Sequence, residues 1–123
     1  MKQVLKSNQN VARQTRQDTT CPMDALLRLL MGPWTTYILW VLRKRGPLRF
    51  GALKREVGGI SARMLTERLR MLEQAQVIFR EHHPSIPPEV TYGLNARGQE
   101  LGSVLDALDS LARRWAAEDE RTH

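Results

Sequence analysis

Two adjacent glycines, Gly58-Gly59, set the tightest constraint on what this chain can fold into. They separate a short segment of helical period, Gly51 to Val57, from a longer one, Ala62 to Gln74. Glycine takes left-handed backbone without steric cost, so the pair ends one helix and turns the chain sharply. Ser61 then stands at an N-cap position, its hydroxyl placed to accept an N–H of the next first turn. Two helices joined by a tight glycine turn are the expected unit.

The flanking sequence extends that unit. Val77-Ile78-Phe79-Arg80-Glu81-His82-His83 is β-compatible, and so is Val90-Thr91-Tyr92-Gly93-Leu94. Pro84-Ser85-Ile86-Pro87-Pro88 between them predicts a hairpin with a stiff tip. Upstream, Cys21-Pro22 opens a short helix to Leu30, with Pro22 at the first helical position and Cys21 at the N-cap. Gly32-Pro33 ends it. A second helix, from near Trp34 to Leu42, is apolar on most sides and should be the central buried one. It closes on Arg43-Lys44-Arg45-Gly46-Pro47, a basic last turn followed by breakers. Leu48-Arg49-Phe50 is a short extended or turn segment, and Asn95 caps a long final helix to about Ala117. The expected fold class is mainly α (α+β): a winged helix-turn-helix with a two-stranded wing. Residues 1–19 predict a flexible basic arm, and 20–123 one domain ending in a terminal helix over about 96–117.

Charge narrows the partner. Residues 1–80 carry 15 basic and 5 acidic side chains, whereas 81–123 carry 4 basic and 8 acidic. A basic front on a small domain suits a polyanion, most commonly nucleic acid, although a solubilising excess has the same composition. One cysteine in 123 residues excludes an intrachain disulfide framework and any site with two thiolates. The N-terminal segment has no apolar core of a secretory signal, and no apolar run is long enough to span a bilayer. The expectation is a cytoplasmic protein with no membrane partner.

The helix after Ser61 carries the sharpest signal. At 100° per residue, Leu65, Leu69 and Leu72 fall on one stripe. Arg63, Thr66, Glu67, Arg70 and Gln74 fall opposite. Arg, Thr and Gln bond base edges and phosphates, and the second helix of such a unit enters the major groove N-terminus first. Ser61, Arg63, Thr66, Glu67 and Arg70 are the expected reading surface, with Arg68 on the flank toward a phosphate. Arg49 and Lys54 are expected on phosphates, and Arg80, His83 and Thr91 of the hairpin near a flanking groove or backbone. The plain alternative is a solvated helix face.

The final helix predicts a different contact. Leu101, Val104, Leu105, Leu108, Leu111, Ala112 and Trp115 recur at three- and four-residue steps. With Leu26 and Leu30 of the first helix, Leu101, Leu105, Leu108, Leu111 and Trp115 are the candidate homodimer interface. The alternative is that they complete one monomeric core.

Catalytic and metal chemistry are not expected. His82 and His83 are adjacent and His123 is terminal, a spacing unlike a metal site on a helix face. Asp106 and Asp109 read as solvated charges. No phosphate loop, nucleophile elbow or dinucleotide fingerprint is present, so no enzyme activity, cofactor or metal is expected. Cys21 is the one reactive candidate: an N-cap thiol sits at the positive end of a helix dipole, which favours its anion. A small buried hydrophobe is the competing role.

From Cys21 to about Leu108 the chain resembles the HxlR family of winged helix-turn-helix transcriptional regulators. The resemblance is carried by Cys21-Pro22, Met31-Gly32-Pro33-Trp34-Thr35 with Ile38-Leu39, and Leu48-Arg49-Phe50. It continues through Gly59-Ile60-Ser61-Ala62-Arg63-Met64-Leu65-Thr66, Leu69-Arg70-Met71-Leu72-Glu73 and Pro87-Pro88-Glu89-Val90-Thr91-Tyr92-Gly93-Leu94. It implies a homodimer held by the first and last helices that binds pseudo-palindromic operators in double-stranded DNA. It also implies an oxidant or small-molecule effector, since in some members the cysteine before the first-helix proline senses oxidants or electrophiles through alkylation or an intersubunit disulfide. Cys21 stands at that position. Two departures stand out: Glu89 where wings of this family usually carry Arg or Lys, and Pro33 where a basic residue usually precedes the tryptophan. The Glu89 wing and acidic tail keep open a second class of function, a winged-helix protein–protein adaptor without specific DNA binding. An RNA-binding role is disfavoured, since no aromatic stacking platform is visible.

Overall fold

The computed structural model describes residues 21–122. The expected arm over 1–19 and His123 lie outside them. The chain divides after Gly32, within the single domain expected from residue 20 onward.

The part before that division holds one helix, α1 (Pro22–Leu30). Pro22 opens it and Cys21 occupies the N-cap, although the cysteine side chain makes no capping hydrogen bond. Arg28 donates to Asp24 at 2.8 Å along one exposed face. Leu26 is exposed and Leu30 half-buried.

Pro33 onward holds the rest: α2 (Thr35–Arg45), β1 (Leu48–Arg49), α3 (Phe50–Val57), α4 (Ala62–Gln74), β2 (Ile78–His83), β3 (Glu89–Leu94) and α5 (Ala96–Thr122). The core gathers one face from each helix. Ile38, Leu39 and Leu42 come from α2, Leu53 and Val57 from α3, and Leu65, Leu69 and Leu72 from α4. Val77, Ile78 and Leu94 close it from the sheet, and Leu101 and Leu105 from α5. Full burial of such side chains contributes about 1.5–3 kcal/mol each.

The turn before α4 forms as its composition requires. Gly58 and Gly59 have φ of 70° and 74°, backbone that an L side chain rarely adopts. Ser61 Oγ accepts the Met64 N–H at 3.0 Å, capping α4. The Trp34 ring supports the turn from below, 3.6 Å from where a Cβ on Gly59 would stand.

Several boundaries differ from the sequence expectation, among them Phe50, which opens α3 rather than ending the extended segment. The wing is part of a three-stranded sheet ordered β1-β3-β2, because Leu48 and Arg49 pair with Tyr92 and Thr91. Two residues are too short a run to show strand alternation. Trp34 has φ of 69° and precedes α2 rather than beginning it. And α5 continues to Thr122, since the residues after Ala117 are polar helix formers with no breaker among them. Asn95 caps α5 as expected, its Oδ1 accepting the Gly98 N–H at 2.9 Å, while its Nδ2 donates to the Gln76 carbonyl at 3.0 Å.

Candidate nucleic-acid interface

The outward face of α4 follows from its inward one. Burying Leu65, Leu69 and Leu72 turns Ser61, Arg63, Glu67 and Arg70 to solvent and leaves Thr66 half-buried at the edge. Ser61, Arg63, Met64 and Glu67 line a shallow open surface at the helix N-terminus. There Arg63 Nε lies 3.4 Å from Glu67 Oε2, an exposed i,i+4 pair. Thr66 Oγ1 donates back to the Ala62 carbonyl at 2.8 Å.

One turn further, α4 and the sheet enclose a groove of about 360 Å³ lined by Thr66, Leu69, Arg70, Glu73, Arg80 and Tyr92. Arg70 and Arg80 face it, and among the described residues neither has a carboxylate within ion-pair distance. The groove unites two sets of candidates that the sequence could assign only separately, those of α4 and the base of the hairpin. Glu73 and Tyr92 were missed. A signal for both exists: Glu73 stands three residues after Arg70 on one helix face, and Tyr92 is the cross-strand partner of Arg80.

The other candidates are placed differently. Arg49 reaches Glu89 Oε1 at 2.9 Å, so the arginine expected on a phosphate holds the wing's acid instead. His83 Nε2 and Thr91 Oγ1 bond each other at 3.1 Å across β2 and β3. Arg68 directs NH1 toward Met71 Sδ at 3.7 Å, and its Nε is enclosed without a partner. Lys54 is half-buried on α3.

Arg43, in the basic run that ends α2, turns to α5. It donates to Gln99 Oε1 at 2.6 Å and to Asp106 Oδ2 at 2.8 Å. Gly102 makes that reach possible, since a Cβ there would stand 2.7 Å from Arg43 Cδ. Asp109 pairs with Arg113 at 2.8 Å, and this bond raises the already high pKa of the guanidinium. The two aspartates are therefore held by arginines rather than free.

On α5 the candidate interface residues separate. Leu101 and Leu105 are 6% and 7% exposed, so both belong to the core of the protomer rather than to a contact between protomers. Leu111 is half-buried, while Leu108 and Trp115 are 54% and 58% exposed. Cys21 is a free, exposed thiol, unlike the buried hydrophobe that was its alternative role. Among the described residues there is no group of three or more His, Cys, Asp or Glu side chains suited to a metal, and no single helix is long and apolar enough to cross a membrane.

Comparison with known proteins places this geometry among regulators. The family model for the HxlR-like helix-turn-helix matches residues 29–120, a span that begins after Cys21 and most of α1. An HTH-type transcriptional regulator from Synechocystis is 39% identical over 99 residues, covering 80% of this chain and 73% of its own. The HTH-type transcriptional regulator YodB from Bacillus subtilis is 35% identical over 99 residues, covering 80% and 88%. Its reduced form superposes with a TM-score of 0.67 at 35% identity, covering 76% of this chain and 91% of that one. YodB has also been solved diamide-treated and quinone-bound. The reduced form of the redox regulator HypR superposes with a TM-score of 0.63 at 27% identity, covering 81% and 94%.

Proposed function

We propose, for a chain that belongs to the HxlR-like helix-turn-helix family of transcriptional regulators, that it acts as a homodimer reading a pseudo-palindromic site in double-stranded DNA. The groove that joins Thr66 and Arg70 of α4 to Arg80 of the sheet carries this reading. A strand of sugar-phosphate backbone fits against the guanidinium groups of Arg70 and Arg80, which have no carboxylate within ion-pair distance among the described residues, while Ser61, Arg63 and Glu67 meet base edges in the major groove. Half-sites lie about 34–36 Å apart, one turn of DNA. Leu108, Leu111 and Trp115 supply the contact between protomers, with Leu26 and Leu30 as a second patch. The proposed target places the protein in the cytoplasm with the chromosome.

Cys21 is the proposed sensor. An exposed N-cap thiol is accessible to an oxidant or electrophile, and the diamide-treated and quinone-bound forms of YodB show that a relative meets such reagents.

The test is binding of the purified protein to its own promoter region, with and without a mild thiol oxidant, beside Arg70→Ala and Cys21→Ser. Competitor-resistant binding that Arg70→Ala weakens by about 1–3 kcal/mol is expected. Oxidant should release the wild type and leave Cys21→Ser bound. Weak, sequence-blind binding by the wild type, there and across a selection from random duplexes, would favour the protein–protein adaptor.

A further inference from the structure

The tip of the hairpin is the part of the molecule least like a DNA-binding wing. From Glu81 to Glu89 there is no Lys or Arg. Of the two acids of this stretch, Glu89 is paired with Arg49 at 2.9 Å, while Glu81 stays exposed, 3.9 Å from a His83 ring nitrogen that bonds Thr91 Oγ1. A wing of this kind cannot hold DNA through strong phosphate contacts at its end.

It presents an apolar point instead. Ile86 is 100% exposed, and Pro84, Pro87 and Pro88 around it are exposed too. The point is braced. The Ser85 N–H donates to the His83 carbonyl at 2.8 Å, and Ser85 Oγ donates to the Pro87 carbonyl at 2.7 Å. Ile86 therefore stands on a tip whose ordering cost on binding is already low. The same hairpin begins with Arg80 in the groove beside α4, and β2 carries the chain about 10 Å from Arg80 to His83 before the tip. With α4 in a major groove, a tip at that remove would be within reach of the neighbouring minor groove.

We propose that Ile86 is a specificity-determining wedge. It enters the minor groove flanking each half-site and partly unstacks a base step, as aliphatic side chains do in proteins that kink DNA. Flexible pyrimidine–purine steps, TA and CA/TG, open at least cost, so the wedge selects them at a position where no hydrogen bond reads the sequence. This inference rests on the DNA-binding reading above.

The experiment separates the two. Duplexes are selected from a random pool by the full-length wild-type protein. Failure to select any consensus would break the DNA-binding reading itself, and the wedge with it. With a consensus in hand, 2-aminopurine is placed at the flanking step and the wild type is compared with Ile86→Ala and Ile86→Lys. Wild-type binding should raise the 2-aminopurine fluorescence. Ile86→Ala should abolish that rise, lose the preference for a flexible flanking step and weaken binding about tenfold, with the salt dependence unchanged. Ile86→Lys should also lose the fluorescence rise while steepening the salt dependence by about one phosphate contact. Circular dichroism checks that each variant folds. A selected duplex bound equally by wild type and Ile86→Ala, or bound by wild type with no fluorescence change, overturns the wedge. If Ile86→Ala binds that duplex normally but loses a protein contact detected by crosslinking, the tip is a protein-docking surface and the proposal also fails.

Discussion

The two halves of α5 carry the same apolar repeat and meet different surroundings. From Gly98 to Leu105 the helix is sunk into its own domain: Gly98, Leu101, Gly102 and Leu105 are buried, and Arg43 of α2 clasps Gln99 and Asp106. From Leu108 to Trp115 the repeat continues with Leu108 and Trp115 exposed and Leu111 only half-buried. Glycine makes the difference in the first half. A Cβ on Gly98 would collide with the Val77 carbonyl, and one on Gly102 would meet Arg43, so the helix backbone lies close against the sheet and α2. The second half has no such residue and keeps its distance. The comparison teaches that periodicity tells which face of a helix is apolar, not what that face meets.

Substitutions along α5 should therefore fall into two classes. The largest effect belongs to the buried half. Leu105→Ala should lower unfolding stability by about 2–5 kcal/mol, read by urea denaturation. A loss no larger than that of an exposed leucine would erase the distinction. In the other half, Trp115→Ala should weaken dimerisation by about 2 kcal/mol, seen in sedimentation equilibrium, while leaving protomer stability nearly unchanged. A drop in protomer stability would assign Trp115 to the core instead. Gly98→Ala should cost about 1–3 kcal/mol of stability through overpacking, although alanine favours helix at an open position. A gain in melting temperature would mean the backbone contact with Val77 is loose. The smallest change is Arg43→Ala, about 0.5–1 kcal/mol in stability, since the pair with Asp106 is partly exposed.

The same distinction explains what was legible beforehand. The turn at Gly58-Gly59, the Ser61 cap and the leucine stripe of α4 are local signals, so the sequence placed them and the outward face of the helix with them. The pairing of Leu48 and Arg49 with β3 is not local, and neither is the bond between Arg43 and Asp106, 63 residues apart. For the same reason Arg43 read only as part of a basic last turn, and Leu101 and Leu105 looked like a seam between protomers. The groove lay in between: Thr66, Arg70 and Arg80 were named from the sequence, whereas Glu73 and Tyr92 were not, because their convergence depends on how far the sheet stands from α4.

The pairing of outward arginines with acids of the same chain bears on how a regulator spends its time. Arg63 lies 3.4 Å from Glu67 and Arg49 2.9 Å from Glu89, so these two outward arginines, unlike Arg70 and Arg80, already have an acid beside them. In the proposed DNA complex, releasing Arg63 to a base is favourable only where the base offers something better than Glu67, and Glu67 itself would repel the phosphates of an ill-fitting site. Such a chain should leave the wrong address quickly, shortening each idle stop on a chromosome where competing sites outnumber the operator by about a millionfold or more.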